Sequence, residues 1–351
     1  MPSINADLLD KIMRFQIDLR RMEAGSKKKV VKILESLQKD LIAEISGQEI
    51  LGLSKANLKK LLRAISEILI DHYAQAESTT RDDIDGLSKL EVKRAIKSLK
   101  ETVFIGVAVN APSDTLIDRL TRDVMINGGP LASWWQRQRE DTQFKIGNAL
   151  RQGILQAETN QQILERIIGK KTEPGIMTVA GRNALALVQT ATHTIVNDAR
   201  QSVYEANDDV IKSLVHFSTL DSHTSIQCIG RSGKEWKNDK NHTPIGHSLP
   251  FIVPPVHINC RSVLLPKTLT FEEMGIDLPE TPVGTRASSL GQLDGDITFD
   301  QYFKMIPKAQ QDEMLGIGKA QMWRDKKITL SDLLDQAGRE LSLEDLKKKY
   351  N

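Results

Sequence analysis

"PPVHINCRSVLLP", residues 254–266, places a histidine three residues before one of the only two cysteines in the 351-residue chain. The other cysteine closes "TLDSHTSIQC", residues 219–228, again with a histidine close by. Each stretch borders a strand signal. "RSVLLP" (261–266) reads as a short strand, and "IKSLVHFSTL" (211–220) is β-branched, aromatic and roughly alternating in polarity. Between residues 221 and 269 the chain is dense in Gly, Pro, Ser, His and Asn. Two short strands flanking a long loop predict a small α+β module whose apolar core is too thin to hold that loop by burial alone.

Residues 5–210 read almost wholly as helix. Leu9, Ile12, Phe15, Leu19 and Met22 recur at three- and four-residue steps, and Val31, Leu34, Leu37, Leu41 and Ile45 repeat the pattern after a break at "GSKKK". Ser54 is a candidate N-cap for a helix with a stripe through Leu58, Leu61, Leu62, Ile65, Ile68 and Leu69. "ESTTRDD" (77–83) reads as a polar break, and Ser88 with Glu91 has capping-box spacing for the helix after it. "FIGVAVNAPSD" (104–114) reads as extended, with Ser113 capping the next helix. "NGGPLASWW" (127–135) makes a turn whose Trp134 and Trp135 staple two helices. After the linker "GKKTEPG" (169–175) comes a long helix, 181–208, in which His193 is expected to pack rather than ligate. Thr270 and Glu273 open a short helix, "ETPVGTRASSLGQLDGD" (280–296) is a polar linker, and a helical tail begins near 299. The expected fold is therefore mainly α: a helical region over 1–170, the α+β module over 171–285 with its long Gly/Pro/His-rich loop, and a linker with helical tail over 286–351.

The totals set limits on function. The chain is 40% hydrophobic and 27% charged, with mean hydropathy −0.32. No apolar run approaches the roughly 18 residues of a membrane span. The N-terminus has acids among its apolar residues and no h-region, so no signal peptide is expected. Two cysteines fit a reducing compartment better than a disulfide scaffold. A net charge of +2, from 48 basic and 46 acidic side chains, gives no global nucleic-acid footprint. The local exception is "GSKKKVVK" (25–32), where Lys27, Lys28 and Lys29 could meet DNA, although such a run on a helix is commonly a solvated face.

Asp221, His223, Thr224, Cys228, His257, Cys260 and Arg261 are the residues that could converge. Cys228, His257 and Cys260 are three zinc-type ligands, with His223 or Asp221 as a fourth, and a structural zinc would close the loop. Two facing buried thiols, free or oxidised to a disulfide, satisfy the same pattern.

These two segments resemble the signature of the phage Mu F-like minor head protein family, also called phage head morphogenesis proteins. That signature is an Asp-x-x-Thr segment ending in Cys, followed by Pro-Pro-x-His-x-x-Cys-Arg. Asp221, Thr224, Cys228, Pro254, Pro255, His257, Cys260 and Arg261 occupy its positions. The tail, residues 314–346, is similar to the tail of many members, and the resemblance runs over roughly 140–346. The chain departs from the pattern in three places. Gln189, Thr190 and Ala191 stand where an Arg-Thr-Glu triplet is common, His216 and Phe217 where a tryptophan is common, and Ser262 where a further cysteine is common.

The resemblance implies a minor structural protein of a tailed-phage head, associated with the portal vertex and, in some members, delivered with the DNA. Its partners would be the portal protein and the major capsid or scaffold protein, and its location the virion, reached from the host cytoplasm. No effector or other enzymatic activity, cofactor, membrane or small-molecule substrate is expected. Two other classes compete. "NDKNHTPIGHSLPFIVPPVHINCR" (238–261) supplies Asp239, Asn241, His242, His247, His257 and Asn259 for a metal-dependent His-Asn-His nuclease, but its Gly/Pro density leaves little room for the ligand-bearing helix. A DNA-binding accessory protein would rest on the 25–32 run.

Overall fold

Apolar residues at helical spacing set the first half of the chain. A computed structural model describes residues 4–102, 108–270, 272–273 and 285–350. Helix α1 (Ile4–Ser46) buries Leu19, Ser26, Val30, Leu34, Leu37, Leu41 and Ile45 along one stripe. The expected break at "GSKKK" is absent. Gly25 lies in open space on the exposed face and costs the helix about 1 kcal/mol relative to alanine, while the buried stripe stays in phase across it. Helix α2 (Lys55–Thr102) likewise runs through "ESTTRDD": Thr80 is buried, its hydroxyl donating to the Ala76 carbonyl at 2.8 Å, and Arg81 pairs with Glu77 one turn back. Ser54 caps α2 as expected, accepting from the Asn57 amide. Ser88 and Glu91 do not form a cap; both are buried within α2.

Helix α3 (Asp114–Arg122) begins at Ser113, whose hydroxyl accepts from the Leu116 amide. Residues 104–107 of the expected extended segment lie outside the described residues. Strands β1 (Met125–Ile126) and β2 (Gly129–Pro130) form a two-residue hairpin in which Asn127 and Gly128 both have positive φ, as a tight primed turn requires. Helix α4 (Leu131–Leu155) follows. Trp134 ties the hairpin to this helix by donating to the Ile126 carbonyl at 2.7 Å. Trp135 is buried edge-on against Tyr73 of α2, so the stapling role expected for the pair is split between hairpin and helix. Helix α5 (Asn160–Ile168) has a complete Thr159/Gln162 capping box. "GKKTEPG" doubles back through a bridge between Gly169 and Pro174 before helix α6 (Ile176–Glu205).

The module then forms. Strand β3 (Ile211–Phe217), helix α7 (Ile226–Arg231) and strands β4 (Glu235–Lys237), β5 (Pro244–Ile245) and β6 (Val263–Thr268) follow in that order, and the sheet runs β5-β4-β3-β6, antiparallel throughout. The two expected strands are its central pair; β4 and β5 come from the loop itself. Thr270 and Glu273 exchange the expected capping bonds, and the residues that would form the helix beyond them lie outside the described residues. The expected linker is a hairpin over part of its length, β7 (Thr285–Ser288) with β8 (Gly291–Asp294), because Arg286 is buried and donates to the Ser218 and Ile297 carbonyls. Helices α8 (Phe299–Met305), α9 (Lys308–Leu315) and α10 (Ile317–Arg324), a 3-10 turn at Leu330–Leu333, and helix α11 (Leu343–Tyr350) complete the tail.

The mainly helical architecture with one small α+β module is thus the observed fold. The chain folds as two compact units, each discontinuous in sequence, whereas the sequence divides into consecutive segments. One unit comprises Met1–Leu19, Ser88–Leu120 and His193–Asn351; the other comprises Arg20–Leu87 and Thr121–Thr192. In the first unit the tail's Phe299, Tyr302, Phe303, Leu333 and Leu346 share a hydrophobic cluster with Leu220 and Ile229 of the module. Within the same unit Arg200 of α6 and Glu91 of α2 form a buried ion pair.

Candidate functional site

Asp221 organises the first half of the loop. Its Oδ1 accepts from the His223 amide at 3.0 Å, and the Thr224 hydroxyl lies 3.3 Å away while bonding the Thr219 carbonyl at 2.6 Å. Across the sheet end, Arg261 grips both Asp221 oxygens, Nη1 to Oδ2 at 2.5 Å and Nη2 to Oδ1 at 2.7 Å. This is the bidentate geometry in which a guanidinium matches a carboxylate. Burial pushes the Asp221 carboxyl up, but the Arg261 fork and the His223 amide outweigh it and leave the group below its ordinary range. Asp221 raises Arg261 in return.

Ser225 starts α7. Its hydroxyl oxygen accepts from the Cys228 amide at 3.3 Å, and the short helix carries the Cys228 sulfur inward. The second half of the loop turns after a cis Pro254–Pro255 bond and passes Asn259 at positive φ, and the Cys260 amide donates back to the His257 carbonyl. His257 Nδ1 lies 2.8 Å from the Ile258 carbonyl, so it carries the proton and Nε2 is left as an acceptor. Nε2 stands 2.7 Å from the Ser225 hydroxyl and 3.3 Å from Cys228 Sγ; the two sulfurs are 3.5 Å apart. Cys228, His257 and Cys260 each present a ligand atom within 4.8 Å of the others.

The thiols titrate as a pair. The bond from the Cys228 thiol holds Cys260 down against its own burial, with His257 adding to the effect, while Cys260 and burial push Cys228 up. One of the two sulfurs is therefore the favoured thiolate. His257 is raised chiefly by its contact with Cys260. His216 on β3 is completely buried, and burial lowers it to about 4, so it is neutral at neutral pH. Neither of its ring nitrogens has a hydrogen-bond partner among the described residues, although buried polar groups are almost always paired.

The walls of the site are polar anchors. The Ser218 hydroxyl donates to the Cys228 carbonyl at 2.8 Å. Buried Arg231 donates to the Pro250 carbonyl, and Trp236 donates to the Leu249 carbonyl, both at 2.9 Å. Arg286 lies over the Phe217 ring at 3.6 Å and is lowered to about 9 by burial. Gly230 allows the tail to close on α7: a Cβ there would sit 2.6 Å from Leu334 Cγ.

Of the sequence-predicted ligands, the structure brings together Cys228, His257 and Cys260, but not His223. The backbone of His223 is captured by Asp221, and its side chain is exposed at the rim. Asp221 also lies outside that group, with Arg261 on both its oxygens. The nuclease set forms no metal-binding group among the described residues. Asp239 accepts from Asn241 and Thr243, His242 stacks on Phe251, and His247 bonds the Glu235 carbonyl and packs on Trp236. Lys27 pairs with Glu23 and bonds Gln189, and Lys29 pairs with Asp83, which leaves Lys28 and Lys32 of the 25–32 run exposed with no ion pair among the described residues. Ser225, His216 and Arg286 are the site residues that sequence reasoning did not single out for these roles. Ser225 alone carried a local signal, three residues before Cys228 at N-cap spacing.

No protein-family model, curated protein or solved structure matches the chain. Among the described residues no helix is long and apolar enough to cross a membrane. A dithiol with an acceptor imidazole, closed behind a carboxylate–guanidinium clamp, can bind a soft or borderline metal ion or act as a thiol pair.

Proposed function

We propose that the protein is a minor structural component of a tailed-phage head, acting at or near the portal vertex during capsid assembly. One observation carries this reading: the two halves of the motif that resembles the Mu F-like signature close on each other. Asp221 and Arg261, forty residues apart, form the clamp, and Cys228 meets His257 and Cys260 behind it. The motif residues thus serve one folding unit, as a structural signature requires. The tail that also carries the resemblance packs its Leu333 and Leu346 in one cluster with Ile229 of α7.

In this reading the helical part supplies the docking surface. Phe144 of α4 is 67% exposed and lines an open groove of about 360 Å³ with Leu62, Ile65, Gly147 and Arg151. A large exposed aromatic at an open groove suits contact with portal, coat or scaffold subunits.

The test is mass spectrometry of purified virions and procapsids, with chemical cross-linking in the same particles. The reading expects the chain at low copy in both, with cross-links from α2 and α4 to portal or coat subunits. Absence from both particles contradicts it.

A further inference from the structure

We propose that Cys228, His257 and Cys260 form a zinc site, with both sulfurs and His257 Nε2 as protein ligands and solvent in the fourth position. It stands independently of the head-protein reading.

The distances fit the ion. Zinc bonds of about 2.3 Å to sulfur and 2.0–2.1 Å to nitrogen put tetrahedral ligand atoms ~3.8 Å (S···S) and ~3.5 Å (S···N) apart. The observed separations are 3.5 Å between the sulfurs and 3.3 Å from Cys228 Sγ to Nε2. On these two edges an ion needs shifts of a few tenths of an ångström, and the third, Cys260 Sγ to Nε2, is within 4.8 Å. The donor set also fits: two thiolates and an imidazole suit zinc, and are poor partners for magnesium or calcium.

The supporting contacts are those a ligating histidine needs. Metal-bound imidazoles almost always donate their second N–H to a carbonyl or carboxylate, which fixes the ring and aims the free nitrogen. His257 Nδ1 meets the Ile258 carbonyl, and Nε2 faces Cys228 Sγ and the Ser225 hydroxyl, whose hydrogen bond to Nε2 an entering ion replaces. The Ser225 cap and the Ser218 bond to the Cys228 carbonyl hold the opposing sulfur in place. The cleft beside Cys228 and His257, lined also by His223, Thr224, Ser225, Asn259 and Arg261, has a volume of about 10 Å³. That is room for one water molecule. On binding, any proton still on a sulfur goes to solvent and each sulfur donates a lone pair, so no oxidant is needed.

The experiment uses the full chain, purified under reducing conditions, with zinc measured per chain and Co²⁺ titrated into the metal-stripped protein. The proposal expects one zinc per chain, thiolate-to-cobalt charge-transfer bands and tetrahedral d–d bands, and a thermal midpoint that rises with Zn²⁺ and falls on chelation. Cys228→Ser and His257→Ala should each weaken Co²⁺ binding by ~100-fold or more, since even supporting contacts are worth 10–100-fold. If those variants do not fold, the wild-type spectrum and stoichiometry decide alone. Substoichiometric zinc with a sulfur-free cobalt spectrum overturns the proposal, as does a Cys228–Cys260 disulfide in the chain purified without air.

Discussion

Residues 20–87 with 121–192, and the loop between residues 221 and 262, reach an ordered state by different means. The helical unit buries long apolar stripes, with Leu37, Leu41, Ile45, Leu61 and Leu69 all fully buried. The loop has few such residues, and its own cluster is Trp236, Leu249 and Leu334 with Phe251 against it. It is held instead by directional contacts: the Asp221–Arg261 fork, the Ser225 cap, buried arginines on backbone carbonyls and the Cys–His–Cys set. Apolar burial tolerates substitution of like for like, whereas directional contacts fail when one partner changes.

The largest effect should come from the helical unit. Leu37→Ala removes a fully buried side chain of α1 and should cost ~2–5 kcal/mol in denaturant unfolding, depending on how far the site collapses. Asp221→Asn should cost ~1.5–3 kcal/mol, the worth of hydrogen bonds to a charged group, because it leaves Arg261 half-buried without its counter-charge. The pH dependence of this difference has a definite sign. Asp221 is lower in the folded chain than its unfolded value of about 3.9, so its contribution is complete above that value and is lost as pH falls through the folded one. Wild type and Asp221→Asn should therefore differ by a constant amount from neutral pH to about 5 and converge in stronger acid.

A smaller change tests the junction of tail and module. Gly230→Ala drives a methyl group into Leu334 and should cost ~1–3 kcal/mol, with α7 losing amide protection before α4 does. Lys29→Ala should fall within ~1 kcal/mol, since its pair with Asp83 is exposed on the lysine side. A marked salt-dependent loss of DNA binding in Lys29→Ala would instead revive the nucleic-acid reading of that helix face.

Different physical causes decide how much of this was legible in the sequence. The helices were readable from their 3.6-residue periodicity, but the breaks were not. "GSKKK" and "ESTTRDD" look like loops by composition, yet Ser26 and Thr80 sit on the buried stripe and keep its phase. In the central strand pair, β3 was readable from β-branched alternation and β6 from the short apolar run in "RSVLLP". The hairpin at 285–294 was not, because what buries Arg286 is a pair of carbonyls, Ser218 and Ile297, one of them 68 residues away. At the site, the types and spacing of Cys228, His257 and Cys260 announced a cluster. That the His223 side chain stays exposed, outside the group of three, is a matter of loop geometry that composition does not encode. His216 was silent for a related reason: alternation marks a strand residue as inward-facing without saying what it faces.

Directional contacts, and not apolar burial, close the loop module. Native-state hydrogen exchange on wild type and Asp221→Asn tests this. Asp221→Asn is expected to lose amide protection across α7, β4 and the 254–262 turn while α4 and the Arg20–Leu87 part of the helical unit keep theirs. Unchanged protection in the loop, or equal loss in both regions, would contradict it.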